Sequence, residues 1–213
     1  MNGEVIAVDD VADAFADLVV REQPRTIALS GGGTARRCYE VLATRSGIDW
    51  PSVVVLFGDE RWVPVDHPDS NEGMARQELL DHVAVGIVHS LRDAGPTVGA
   101  AAAEYDRLLR RLEPVDLVHL GLGPDGHTAS LFPGSPALSV NEHLVAPNPA
   151  GLEPWHERLT WTLPALSSAR HAVFTVEGDA KADAFRRILA GDDLPAARVA
   201  AARVTWLVDG RSL

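Results

Sequence analysis

Short apolar runs and runs of helical period take turns along this chain. Val5 to Val8, Thr26 to Leu29, Val53 to Phe57, Val115 to Leu120, Ala172 to Val176 and Val204 to Val208 are rich in β-branched residues and predict strands. Between them, Val11, Ala14, Phe15, Leu18 and Val19 fall on one helical stripe, and Val98, Ala102, Tyr105, Leu109 and Leu112 on another. Strand and helix in alternation predict an α/β fold with a mainly parallel sheet. The runs VVVLF and TIALS lack polar alternation, as strands covered on both faces do. No repeat, low-complexity tract or long linker interrupts the pattern, so residues 1–213 are expected to form a single domain. The proline-rich piece APNPAGLEP, 146 to 154, reads as a surface loop.

In a parallel α/β sheet, ligands bind outside the carboxyl ends of strands, and three turns stand there. In ALSGGGTARRCYEVL, Gly31, Gly32 and Gly33 let backbone N–H groups converge at a helix start, and Ser30 and Thr34 add hydroxyls. This is a phosphate cradle without the lysine of a Walker A loop; the alternative is a tight turn with Thr34 as the helix N-cap. The same stretch comes close to a serine-hydrolase elbow, but Ala28 replaces its first glycine. In FGDERWVPVDHPDSN, Asp59, Glu60 and Arg61 follow a strand and precede a polar loop ending at Asn71. Arg61 offers a planar fork for an oxyanion. The alternative makes these three a solvated charge run, with Trp62 plugging the core.

The third turn, GLGPDGHTASLFPG, spells the dinucleotide pattern G-x-G-x-x-G. Pro124 removes an N–H from it and His127 crowds the helix start, which argues against pyrophosphate binding. Asp125 and His127, two residues apart, suit a different chemistry. The carboxylate can fix the ring's tautomer and leave its other nitrogen free as a base toward water. Alternatively, Asp125 caps a following helix and His127 bonds the backbone.

Composition narrows the classes. A net charge of -11 disfavours nucleic acid and anionic membranes as partners. An anionic ligand then needs local positive charge, and of 19 basic residues Lys181 is the one lysine, which points to a site that needs a compact cation; the alternative is chance, at a helix-surface position near Asp179 and Asp183. The single cysteine, Cys38, shares an apolar helix face with Val41 and Leu42 and implies a reducing compartment. No membrane span or leader pattern is present, so the cytoplasm is expected. The eight histidines show no ligand spacing, so no metal is expected.

LSGGGT, FGDERWVPVDHPDSN, LGLGPDGHTASLFPGS and RLTWTLPAL, in this order, resemble the bacterial-type 6-phosphogluconolactonases, within the larger glucosamine-6-phosphate isomerase/deaminase-like group. The resemblance runs from Val8 to Asp209. It implies a Rossmann-like three-layer sandwich and cofactor-free hydrolysis of 6-phospho-D-glucono-1,5-lactone. It also implies that His127, supported by Asp125, activates water, with Arg61 lining the pocket. Ser30 to Thr34, Asp59, Asn71 and Gly126 would bind substrate, and Arg158 and Lys181 match positions that related deaminases use on phosphate. Deaminases of the group carry Phe-Asn-Glu-Pro where this chain has Ser130-Leu131-Phe132-Pro133, and tyrosines at the places of Arg61 and Asn71, which favours the lactonase. The rivals are a deaminase/isomerase with Asp59 as base, a serine hydrolase acting through Ser30, and a sugar-phosphate sensor, for whose DNA-binding helices the chain has no room. A monomer is expected, with a homodimer as the alternative.

Overall fold

The computed structural model describes residues 2–112, 114–151, 153 and 155–210. In chain order the elements are β1 (Glu4–Val8), α1 (Val11–Glu22), β2 (Thr26–Leu29), α2 (Gly33–Ala43), β3 (Val54–Phe57), β4 (Asp59–Arg61), α3 (Asn71–Ala75), β5 (Ile87–Val88), α4 (Val98–Leu112), β6 (Leu117–Gly121), β7 (Val145–Asn148), β8 (Arg158–Trp161), α5 (Leu163–Ser168), β9 (His171–Val176), α6 (Asp179–Leu189) and β10 (Arg203–Asp209). Seven of the described strands form one sheet, in the order β1-β10-β9-β6-β2-β3-β5, and every pairing in it is parallel.

The interior strands of this sheet are covered on both faces, as their uninterrupted apolar runs require, while the edge strands β1 and β5 have no buried residue. His119 on β6 stacks on Phe15 of α1 and meets Tyr39 of α2, which places both helices on one face. On the other face Phe174 of β9 stacks on Trp206 of β10, which meets Phe185 of α6. All six residues of β9 are buried. Cys38 and Leu42 lie in the core on α2, and burial pushes the Cys38 thiol up to about 12.

The helix ends follow local chemistry. Asp10 caps α1 by accepting from Ala12 N–H at 2.8 Å and Asp13 N–H at 3.0 Å, and Gln23 ends the helix in the left-handed region with φ 49°. By contrast, α2 starts from Gly32, at φ 93°, with no side-chain cap. Its first amides are left for another acceptor.

A second, antiparallel sheet, β4-β8-β7, was not foreseen from the apolar pattern. It joins the first through Gly58. That residue's N–H donates to Leu29 O at 2.9 Å, and its carbonyl accepts from Trp161 N–H at 2.8 Å. Three expectations change here. Residues 145–148 are strand β7, with Val145, Ala146 and Asn148 buried, so the first part of the proline-rich piece is not a surface loop; Leu152 and Pro154 lie outside the described residues. Asp59 and Glu60 are buried in β4 and are no solvated charge run, while Trp62 lies half-buried under the Arg92 guanidinium. No helix follows His127 directly, which removes both the dinucleotide reading and a capping role for Asp125.

Candidate active site

Strands β2 and β6 are neighbours, yet the chain leaves β2 toward β3 and later leaves β6 toward β9 on the opposite side. Connections diverge at such a reversal and open a crevice at the carboxyl ends. A cavity of about 190 Å³ fills it, walled by Ser30 to Gly33 after β2, Gly121 to Gly123 at the end of β6, Asp59, Arg61 and Asn71 from the second sheet and α3, and His127, Ala129 and Lys181. Thr34, Asp125, Gly126 and Arg158 stand outside this wall.

The turn after β6 is built to present His127. Gly123 N–H donates to His127 O at 2.9 Å and Gly126 N–H to Gly123 O at 3.0 Å, with Gly126 at φ 86°. A Cβ on Gly123 would lie 2.0 Å from His127 Nδ1, so only glycine lets the ring fold back over the turn. Asp125 Oδ1 accepts the His127 backbone N–H at 3.1 Å and lies 2.5 Å from Nδ1. Burial pushes the Asp125 carboxyl up, but the His127 bonds outweigh it and hold the group below the usual carboxylate range. A carboxylate on Nδ1 puts that nitrogen's proton in the pair and leaves Nε2 with a lone pair. Phe132 packs against the ring, centroids 4.8 Å apart.

The glycine loop faces this pair across the cavity. Tyr39 Oη accepts the Ser30 N–H at 2.6 Å and itself lies 3.0 Å from His119 Nδ1, whose Nε2 lies 2.9 Å from Thr175 Oγ1. This buried chain fixes the loop from behind, and no sequence motif announced Tyr39 or His119. Burial pulls His119 down to about 3, so the ring is neutral. Lys181, in the first turn of α6, donates to Thr34 Oγ1 at 2.7 Å. Thr34 therefore neither caps α2 nor walls the cavity; it holds the lysine beside the uncapped amides. Burial lowers the Lys181 ammonium from its ordinary value, against the pull of Glu177.

The remaining wall rests on Asp59 and Glu60. Asp59 Oδ2 accepts from Ser130 Oγ at 2.6 Å and Oδ1 from Asn71 Nδ2 at 3.2 Å. Asn71 in turn packs against Gly31, where an added Cβ would lie 1.9 Å from its Oδ1. Glu60 points away from the cavity and accepts from Arg61 N–H at 2.7 Å, Asn71 and Glu72 N–H at 2.8 Å each, and Ser70 Oγ at 3.0 Å. Burial lifts its carboxyl to about 7 against the pull of those three amides. Arg61 Nη1 donates to Asp69 O at 2.8 Å, and its buried Nε has no hydrogen-bond partner among the described residues. Arg158, which the resemblance paired with Lys181 as a phosphate cation, sits opposite Arg61 in the β4–β8 register, 3% exposed and outside the cavity wall. Burial, then the Arg61 guanidinium, pull it below its ordinary value. Within the polar loop, Asn71 reaches the cavity; His67 and Asp69 do not.

Around one small cavity stand the His127 ring paired with Asp125, the Arg61 guanidinium, the uncapped glycine-rich start of α2 and the Lys181 ammonium. The sequence profile of the family described as glucosamine-6-phosphate isomerases/6-phosphogluconolactonase matches residues 5–207. A 6-phosphogluconolactonase from Synechocystis is 42% identical over 180 residues, covering 80% of this chain and 73% of that protein. One from Pseudomonas putida is 38% identical over 191 residues, covering 87% and 78%. The crystal structure of 6-phosphogluconolactonase from Leishmania guyanensis superposes with a TM-score of 0.86 at 28% identity, covering 100% of this chain and 98% of that one. The chain belongs to the glucosamine-6-phosphate isomerase/6-phosphogluconolactonase family.

Proposed function

We propose that the chain hydrolyses 6-phospho-D-glucono-1,5-lactone to 6-phospho-D-gluconate in the oxidative pentose phosphate pathway, through water activated by His127. The observation that carries this reading is the Asp125–His127 pair, 2.5 Å apart, on a cavity whose other side is an uncapped glycine-rich helix start. The phosphate docks on the amides at the start of α2, with Lys181 supplying charge. Arg158 backs Arg61 and leaves the phosphate to Lys181. The lactone C1 then faces His127. Nε2 takes a proton from water as its oxygen bonds to C1, and the developing oxyanion is met by Arg61 or by a backbone N–H of the 121–126 turn. Collapse breaks the bond from C1 to the ring oxygen, which leaves with the proton from the imidazolium. The acid product ionises and releases one proton to solution.

Asp59 is ill placed to act as a deaminase base, since both its oxygens already accept from Ser130 and Asn71. The working unit is the whole chain, 1–213, acting as a cytoplasmic monomer without cofactor. The decisive assay is a pH-stat titration on freshly made lactone, corrected for spontaneous opening. His127→Ala is expected to lower kcat by about 10² to 10⁴-fold while substrate still binds. Unchanged kcat in that variant refutes the mechanism, and ammonia release from glucosamine 6-phosphate or fluorophosphonate labelling of Ser30 refutes the activity.

A further inference from the structure

The loop between β4 and α3 meets the approach to β8 at three ligating side chains. His67, Asp69 and His156 are each half-buried, and one ring nitrogen from each histidine and a carboxylate oxygen of Asp69 all lie within 4.8 Å of one another. His156 Nε2 is 3.0 Å from Asp69 Oδ2, and His67 Nδ1 is 3.7 Å from the same oxygen. The two rings stand 5.3 Å apart and nearly perpendicular, at 83°, so they flank the carboxylate and do not stack. In a four-coordinate site with bonds of about 2.0–2.1 Å, neighbouring ligand atoms lie roughly 3.3 Å apart. The two distances to Asp69 straddle that value.

We propose that His67, Asp69 and His156 bind a divalent first-row transition ion of the zinc class, outside the catalytic cavity. Two imidazoles and one carboxylate suit such an ion, and solvent can complete the coordination from the open side. The same set disfavours magnesium and calcium, which require mostly oxygen ligands. Sequence spacing could not reveal the site, because His156 lies 87 residues beyond Asp69.

The free chain holds the cluster by hydrogen bonds that an ion would exchange. His67 Nδ1 accepts the Asp69 backbone N–H at 3.1 Å, so that lone pair already faces the carboxylate loop. His156 presents Nε2 to Asp69, and coordination there moves its proton to Nδ1 by exchange with solvent, with no net change in charge. Two guanidiniums oppose a dication: Arg61 bonds the Asp69 carbonyl at 2.8 Å, and Arg158 feels the Asp69 charge. They hold the affinity to a modest level. Occupancy would staple residues 67–69 to residue 156 and fix the peptide that anchors Arg61.

The test uses the untagged full chain and needs no substrate. Calorimetric titration with Zn²⁺, and Co²⁺ titration followed by visible d–d absorption, are expected to show one ion per chain, with no competition from Mg²⁺ and a Zn²⁺-dependent rise in Tm. His67→Gln and His156→Gln, the second of which keeps an N–H for Asp69, should each weaken binding by about 10-fold or more with unchanged far-UV circular dichroism. His82→Gln, at an exposed histidine elsewhere, should bind as the parent does. The proposal is overturned if the parent binds no Zn²⁺, if binding survives both substitutions at the cluster, or if it falls equally in His82→Gln.

Discussion

At Gly123 a single missing methyl decides where the His127 ring can lie. A Cβ there would stand 2.0 Å from His127 Nδ1, closer than any real contact, and the obstacle is the ring itself. Gly123→Ala is therefore expected to lower kcat by about 10²-fold or more, with the fold kept and KM little changed; a variant with full kcat would show that the ring has another productive pose. Lys181 lies elsewhere on the same cavity wall. Its ammonium touches Thr34 and lines the cavity, where under the proposed function it meets the phosphate dianion. Lys181→Met should raise KM for the phosphorylated lactone by about 10-fold or more and leave kcat nearly intact, and Lys181→Arg should not restore it, because the larger fork does not fit a place shaped for a compact cation. Equal loss in kcat and kcat/KM would assign the lysine to the transition state instead. Both effects are read from steady-state kinetics.

Among the elements, β4 is the one whose importance its length conceals. Three residues long, it supplies two cavity residues, and Glu60 between them binds the first amides of α3. A solvated glutamate can be truncated within about 0.5 kcal/mol. Glu60→Ala leaves Asn71 and Glu72 N–H groups buried without an acceptor and should cost about 2 kcal/mol or more by urea unfolding; a loss under about 0.5 kcal/mol would return the segment to the charge-run reading. The six strands read from apolar runs all formed; five lie inside the sheet, where burial on both faces leaves a strong signature, and β1 formed at its edge with no residue buried. The strands β4, β7 and β8 left none. DER is polar and pairs with β8 about a hundred positions on, while VAPN carries a proline and owes its burial to pairing with β8, which itself pairs with β4. The candidate site divides the same way. The glycine loop and the Asp125–His127 turn are local and legible, whereas the Tyr39–His119 support, the Thr34–Lys181 bond and the displacement of Arg158 to Arg61's side exist only through tertiary contact.

For the molecule as a whole, the buried polar chain behind the glycine loop couples stability to pH. His119 is neutral in the fold down to about 3, whereas the unfolded chain takes up a proton near the ordinary 6.5. The unfolded state therefore binds more protons in this window, and stability falls as pH drops from 6.5 toward 3, by at most about 1.4 kcal/mol per pH unit from this residue. Glu60 acts in the opposite sense between 7 and 4.5, because its folded carboxyl holds a proton that the unfolded one has lost. Comparing the parent with His119→Gln cancels that contribution. The stability advantage of the parent should shrink as pH is lowered from 7 to 4 in urea titrations, and an advantage independent of pH would contradict a neutral buried ring.

The small sheet also dictates when a nascent chain acquires its catalytic pocket. Gly58 hands the backbone directly from β3 to β4, yet β4's hydrogen-bonded neighbour is β8, about a hundred positions later in synthesis. A ribosome that has released the glycine loop, the Arg61 strand and even the histidine turn has still delivered no floor for Asp59 and Arg61 to rest on. The pocket thus cannot close before Trp161 emerges, and its last wall residue, Lys181, follows later still, so a chain truncated before β8 should lack both the floor and the lysine.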